Sequence, residues 1–499
     1  DSADTVLNEW TLAWVAHQLP RDPRHLFDAN ILHPDRDALA YSEHLFVPAL
    51  MGAPLFWAGA SAVLVYNVLL LLGFWLTGLG TYGLVWRWTG SWPAALVAGV
   101  LLAFNAHTLT RMPHLQAIHA EFVPLFLLAL DDLLERPRAR AAMATAAAFA
   151  LASLTSNYTF VMLVVAALVV CVTRAWAWWP QRIEVGRWSL AAGGMAALVM
   201  LPFLWPYRTV HMVRPLDEVA YYSAHLDAYL LTPARVHFDA WSHRYFGAVV
   251  ALFPGVLATG LAVWGLFAAT RGGGVTARRA WSLAAVAAAG VLLSFGPSVP
   301  GYETLYRVVP IVQGIRVAAR FGYLLIVAVA VTAGYGVAAL ARFVPPRTGV
   351  ALGLLAAGLV TAETWAGPVE AVDAPPVSSI YGTLRRTPGA VVAELPFWSP
   401  DAFIRNMRYM PGAMVHWKPM LNGYSGVVPP TYEQHYRELA GFPDAESVNA
   451  LHRAGVTHIF VHEDWLEEMA GPAAIERLHL LPEFQRLAAD GPLVLYAVR

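Results

Sequence analysis

The feature that most constrains this chain is a succession of long apolar runs, separated by short turns on one side and longer polar loops on the other. A helix needs about 20 apolar residues to cross the hydrocarbon core of a bilayer. Runs near 61–85, 92–106, 119–134, 138–155, 157–178, 188–206, 246–270, 280–297, 319–342 and 347–365 read as spans by that standard. Composition agrees. Only 13% of the 499 residues are charged and 58% are hydrophobic, whereas a soluble domain carries about 25% charge. A chain this long cannot cover a water-facing surface with so little charge, so much of it is solvated by lipid. The net charge of −1 argues against nucleic acid, which calls for clustered positive charge. The one cysteine, Cys171, lies in an apolar run, which leaves no intramolecular disulfide and no cysteine-based metal site.

Arginine placement orients the spans. Alternate short connections carry Arg87; Arg136, Arg138 and Arg140; Arg174, Arg182 and Arg187; Arg271, Arg278 and Arg279; and Arg342 and Arg347. Short basic loops stay in the cytoplasm. The opposite connections, 107–118, 207–245 and 298–318, are longer and rich in His, Tyr, Pro and acids. Residues 1–60 and 366–499 fall on that same outer side. The opening stretch around Asn8, Glu9, Trp10 and Trp14 is amphipathic, and 44–58 reads as a helix lying at the interface. If residues 1–60 are outside and a cytoplasmic N-terminus precedes them, one more span lies upstream of Asp1, for a total of eleven. The tryptophans, Trp10 and Trp57 among them, read mostly as interfacial belts.

Beyond Pro375 and Pro376 the character changes. Strand-like runs at 391–395, 457–462 and 493–498 alternate with helix-like 431–439, 445–453 and 472–487. The expected organisation is a membrane domain over 1–366, with 1–60 as its first outer loop, and a small outer α/β domain over 367–499.

Ionisable groups concentrate in the outer loops. Asp4 with a histidine and Glu121 has the makings of an acid/base or metal-assisted site. Arg208, Arg214, Arg307, Arg316 and Arg320 carry the guanidinium forks that match phosphate oxygens. Arg316 and Arg320 are one helical turn apart, which would turn both toward one pocket; snorkelling to lipid headgroups is the plainer alternative. His107, His114 and His119 lack a tight zinc-ligand spacing, and interfacial packing explains them as well. Asp131 and Asp132 read as a solvated helix end. No span holds an arginine ladder or a proton-relay chain.

Several short stretches then point to one superfamily: DSADTVLNEWTLAW (1–14), ANILHP (29–34), FPG (253–255), RVAARF (316–321) and NGYSGVVPP (422–430). With the long acidic first outer loop, the short basic turns and an outer C-terminal domain, the chain resembles the GT-C glycosyltransferases, and within them bacterial members of the inner membrane. The resemblance implies about ten or eleven transmembrane helices and a periplasmic C-terminal α/β domain. It also implies transfer of a sugar from a polyprenyl-phosphate-linked donor to a glycan, lipid or protein acceptor on the outer face. In that superfamily an acidic residue early in the first outer loop serves as catalytic base or metal-associated group. The role falls on Asp4, with Asp1 as rival and Glu121 in support, and a divalent cation, Mg or Mn, is possible. Donor phosphate falls to Arg316 and Arg320, supported by Arg208 and Arg214. The first span of the pattern is not within this sequence, so the position of Asp4 relative to it is open.

Two other functions fit the same pattern. A transporter or flippase would place polar groups at mid-membrane on broken helices, whereas here they cluster at the outer surface. A non-catalytic assembly factor would bind the lipid-linked sugar without transferring it. Within the outer domain, Trp417, His416 and Tyr424 form an aromatic, donor-rich segment suited to an acceptor glycan, or equally to packing the domain, with Asn422-Gly423 as a turn signal.

Overall fold

The computed structural model describes residues 3–208, 210, 213–369 and 371–499. The chain forms two compact units: one takes residues up to Tyr66, 206–210 and 372–499, the other 67–205 and 211–371.

The second unit is a helical bundle in which each expected span holds one helix. These are Ala62–Thr89 (which begins in the first unit), Trp92–Ala103, Phe122–Glu135, Ala139–Thr155, Asn157–Thr173, Arg182–Leu204, Val256–Arg271, Gly274–Ser294, Tyr323–Leu340 and Pro346–Thr364. Four stretches among the described residues are long and apolar enough to cross a membrane by themselves: Ala62–Thr89, Trp92–Thr110, Ala175–Leu204 and Ala318–Phe343. The span expected over 246–270 opens with an irregular segment, which lipid tolerates where the backbone is buried in protein. Helix begins only at Val256, after Pro254 and a Gly255 with φ of 99°, because Pro cannot supply the amide an interior helical position needs.

The Tyr323–Leu340 helix runs through the core and is buried along most of its length. It crosses Val256–Arg271 so closely that a Cβ on Gly265 would overlap the Thr332 carbonyl, and one on Gly336 the Leu261 carbonyl. Small residues at such crossings let backbones approach in a medium that offers no hydrophobic drive between helices.

At the arginine-rich end of the bundle, Asp131 is buried rather than solvated. It accepts from Arg174 at 2.6 Å and from Arg279 at 2.6 Å, while Glu135 pairs with Arg174 and with Arg278 at 3.1 Å. Arginines from two basic connections therefore meet at the two carboxylates that precede a third, which corrects the reading of Asp131 as a helix end in water.

The first unit contains a four-stranded sheet, β1 (Val392–Leu395), β2 (His458–His462), β3 (Phe484–Asp490) and β4 (Leu493–Val498), in the order β1-β2-β4-β3. β1 and β2 are parallel and the other pairs antiparallel. Helices Pro430–Leu439 and Ala445–Arg453 match expectation. The helix expected over 472–487 stops at Leu480 and gives way to β3. β3 is an exposed edge strand paired through an Asp490-Gly491 turn, Gly491 having φ of 58°. The helix-forming Gln, Arg, Leu and Ala of 485–489 yield there to hairpin pairing, since propensity is a weak prior against tertiary context.

Two of the short motifs extend this sheet beyond β1. Val392 N donates to Pro419 O and Leu421 N to Val392 O, each at 2.9 Å. On the far side Met420 N donates to Asn30 O at 3.0 Å, Leu32 N to Asn422 O at 3.0 Å and His33 N to Met420 O at 2.9 Å. The Asn422 side chain continues the ladder: its Oδ1 accepts from Glu394 N at 2.7 Å and its Nδ2 donates to Glu394 O at 3.1 Å. A Cβ on Gly423 would sit 2.7 Å from the Ile31 Cβ. Asn422-Gly423 is thus a site of side-chain pairing and close approach.

Helix Ala3–Gln18 packs in the same unit. Trp10 is fully buried and donates from Nε1 to Asn30 Oδ1 at 3.1 Å, and Asn30 Nδ2 reaches Ala413 O at 3.0 Å. Trp10 is a core residue, not a belt residue.

Candidate active site

In the first unit an acidic group gathers near one end of helix Ala3–Gln18. Asp4 is half-buried, and its carbonyl accepts from the Asn8 side chain. Asp4 and Glu9 both act electrostatically on the Tyr66 hydroxyl, which is hydrogen-bonded to Thr5. Glu9 is buried. Desolvation penalises its charged form and pushes its carboxyl up to about 7. Asp1 lies outside the described residues. Arg208 is exposed at the end of a short 3₁₀ turn. That turn is anchored by the Tyr207 hydroxyl, which donates to Ser42 O at 2.8 Å.

The second unit brings three of the four candidate arginines together through two tyrosines. Arg316 packs its guanidinium 4.5 Å from the Tyr222 ring centre and donates to the Tyr222 hydroxyl at 2.9 Å; its Nε lies 2.8 Å from Glu218. Arg214 shares the same Glu218 carboxylate at 3.6 Å. The Tyr158 hydroxyl accepts from Val317 N at 3.1 Å, and its ring carries the Arg320 guanidinium at 4.2 Å. Arg320 is only 9% exposed, and among the described residues no carboxylate pairs with it. His114 lies in the field of Arg320 and Arg111. Burial first, then those two cations, push its ring down to about 3, so it is neutral at physiological pH.

Glu121 is buried at the start of helix Phe122–Glu135. Its Oε1 lies 3.0 Å from His119 Nδ1, and His119 Nε2 faces the Leu69 carbonyl at 3.0 Å. The second carboxylate oxygen of Glu121 has no hydrogen-bond partner among the described residues.

Sequence reasoning selects these arginines but misses Tyr158 and Tyr222, which hold them; a Tyr far from both arginines in sequence or lying in a loop gives no signal of that task. Glu9 stands in the sequence as a fallback for Asp4, but its burial depends on the fold. Of the acceptor candidates, His416 is 1% exposed, and its Nδ1 accepts from Lys418 N at 2.9 Å. Trp417, with φ of 57°, stacks on His17 at 4.0 Å and leans on Trp14 at 6.2 Å. Tyr424 is half-buried, 5.9 Å from the Phe403 ring. Among the described residues no three His, Cys, Asp or Glu side chains group so as to hold a metal ion.

No family model matches this chain, and no curated protein matches it. Solved structures do. The archaeal oligosaccharyltransferase AglB from Archaeoglobus fulgidus, in complex with an inhibitory peptide and a dolichol-phosphate, is similar over 99% of this chain and 70% of its own, with a TM-score of 0.50 and 11% identity. ArnT from Cupriavidus metallidurans, bound to undecaprenyl phosphate, aligns over 98% of this chain and 93% of its own, with a TM-score of 0.49 and 15% identity. At such identities what is shared is architecture. With its apolar helix bundle and small C-terminal sheet, this chain is a multi-pass membrane protein of the GT-C fold.

Proposed function

We propose that this protein is a membrane glycosyltransferase that moves a sugar from a polyprenyl-phosphate-linked donor to a glycan, lipid or protein acceptor. The reaction takes place on the outer face of a bacterial inner membrane, the C-terminal unit being periplasmic. The observation that carries the reading is Arg320. A buried guanidinium without a carboxylate is costly, and an anionic ligand relieves that cost. Its neighbour Arg316 meets the Glu218 carboxylate, which Arg214 also approaches, so guanidinium forks suited to a phosphate stand in the same unit.

In this reading the acceptor hydroxyl oxygen attacks the anomeric carbon as the bond from that carbon to the donor phosphate oxygen breaks. The Asp4 carboxylate takes the hydroxyl proton. Asp1 and Glu9 are its rivals, with Glu121 in support. The departing polyprenyl phosphate carries the electron pair away, and the guanidiniums of Arg316 and Arg320, with Arg208 and Arg214, stabilise its growing charge. Trp417 and Tyr424 offer the acceptor half-buried aromatic faces; His416 stays within the core and supports them.

The test uses full-length protein in nanodiscs. Arg320→Gln should weaken binding of a polyprenyl phosphate by about thirtyfold to a hundredfold, the size of a lost charge-assisted contact of roughly 2–3 kcal/mol. It should also raise the melting temperature of the ligand-free protein, because an uncompensated charge is gone. Asp4→Asn should bind the lipid normally and abolish transfer. Unchanged lipid affinity in Arg320→Gln, with lowered stability, would make Arg320 a structural residue and sink the assignment.

A further inference from the structure

At the arginine-rich end of the bundle a cavity of about 770 Å³ opens beside helices Ala62–Thr89, Phe122–Glu135 and Ala139–Thr155. The site proposed for catalysis uses none of its lining residues. The first helix touches the second where the second begins: a Cβ on Gly80 would lie 2.7 Å from the Glu121 carbonyl. One turn on, a Cβ on Gly83 would find nothing within 4 Å. The cavity lies beyond that point.

Its lining is divided by polarity. One wall is apolar, with Phe122, Leu125, Leu128, Ala147 and Leu151. Leu125 and Leu151 are exposed, which places this wall where an acyl chain would lie. The other end holds Arg87, Arg136, Arg138, Arg140 and Arg279, with Asp131, Asp132 and Glu135 as the acids. Those acids are already occupied. Asp131 and Glu135 are held by Arg174, Arg278 and Arg279, and Asp132 by Arg138 at 2.8 Å. Among the described residues no carboxylate pairs with Arg87, Arg136 or Arg140.

We propose that this cavity is a binding site for an anionic phospholipid of the surrounding leaflet. The headgroup phosphate sits among Arg87, Arg136 and Arg140, and an acyl chain lies along the Leu125–Leu151 wall. Guanidinium forks match phosphate oxygens, and basic pockets between membrane helices select anionic headgroups. A free phosphate would use the cations and leave the apolar wall bare. A zwitterionic lipid would use the wall and gain little from three unmatched cations.

The experiment is native mass spectrometry and thermal-shift titration of the purified full-length protein, with phosphatidylglycerol, phosphatidylcholine and glycerol phosphate as probes. Phosphatidylglycerol should be retained and should raise the melting temperature, and the other two should do neither. The variant Arg87→Gln/Arg136→Gln/Arg140→Gln should bind phosphatidylglycerol about a hundredfold more weakly, near a factor of five per arginine. Ala147→Phe, which fills the wall and leaves every charge in place, should also lose it. Equal retention of phosphatidylcholine, stabilisation by glycerol phosphate alone, or undiminished phosphatidylglycerol binding in both variants would each overturn the proposal. Polyprenyl-phosphate binding that persists in the arginine variant keeps this test separate from that of Arg320.

Discussion

Replacing Glu9 by Gln tests the acidic group without reference to any substrate. Burial lifts this carboxyl from an ordinary 4.5 to about 7, so the folded chain holds the proton more tightly than the unfolded chain does. The sign follows from linkage: where the native state binds more protons, stability falls as pH rises. The fall begins near the unfolded value of 4.5, runs through about 7 and then levels off. A tenfold change in proton affinity corresponds to about 1.4 kcal/mol, so lifting the carboxyl this far would cost roughly 3.4 kcal/mol at high pH. Glu9 is not wholly shut off from solvent, and screening brings the figure to about 1.5–2 kcal/mol. Gln keeps the shape and has no proton to lose. Glu9→Gln should therefore match the parent protein at pH 4.5 and exceed it by about 2 °C in melting temperature at pH 8. The assay is intrinsic-fluorescence melting in detergent across that range. A difference that stays flat with pH, or a variant less stable than the parent at pH 8, would show that Glu9 is already compensated and would remove it as a rival proton acceptor.

Three further outcomes follow from packing. Arg174 is 3% exposed between Asp131 and Glu135, so Arg174→Met leaves Asp131 to Arg279 alone and Glu135 to Arg278 alone and should cost about 2–3 kcal/mol; a loss under about 1 kcal/mol in denaturant titration would contradict the network. Asn422→Ala removes both bonds to the Glu394 backbone and should cost about 2–4 kcal/mol, with proteolysis of the C-terminal unit as the readout. Trp417→Ala breaks the stack on His17; if the residue only packs, stability and both substrate affinities fall together, and a selective loss of acceptor use would show direct contact instead.

The bundle is largely legible because lipid leaves a chain few choices. Apolar length marks the spans, and arginine marks one end of them. The structure agrees that the turns bearing Arg174, Arg278 and Arg279 share a location, since all three side chains meet Asp131 and Glu135. Apolarity does not encode backbone conformation, however. Residues 246–255 are as apolar as a span, yet helix starts only after Pro254 and Gly255. Nor does local propensity reveal an edge strand, which is why the residues of β3 read as helix. The signal that marks the strand is the Asp490-Gly491 pair before a hydrophobic run.

The candidate site is legible as a list of charges and not as a set of partnerships. The spacing of Arg316 and Arg320 suggests one helical face, but a 3₁₀ turn begins at Ala318, and the two side chains go to different tyrosines. What separates them functionally is that Glu218 answers Arg316 and, among the described residues, no carboxylate answers Arg320, a difference that appears only once every acid in the unit has a place. The same limit explains the short motifs. ANILHP and NGYSGVVPP lie nearly the whole chain apart, and each looks like a loop because neither alternates. Backbone bonds nonetheless bring residues 30–33 against 420–422 beside β1, with Gly423 kept bare by Ile31. A pairing between distant segments leaves only a residue-level trace in each, here an Asn whose side chain imitates a backbone and a Gly without room for a methyl. The motifs that seemed to speak for chemistry are, in this stretch, the ones that hold residues 30–33 to the C-terminal sheet.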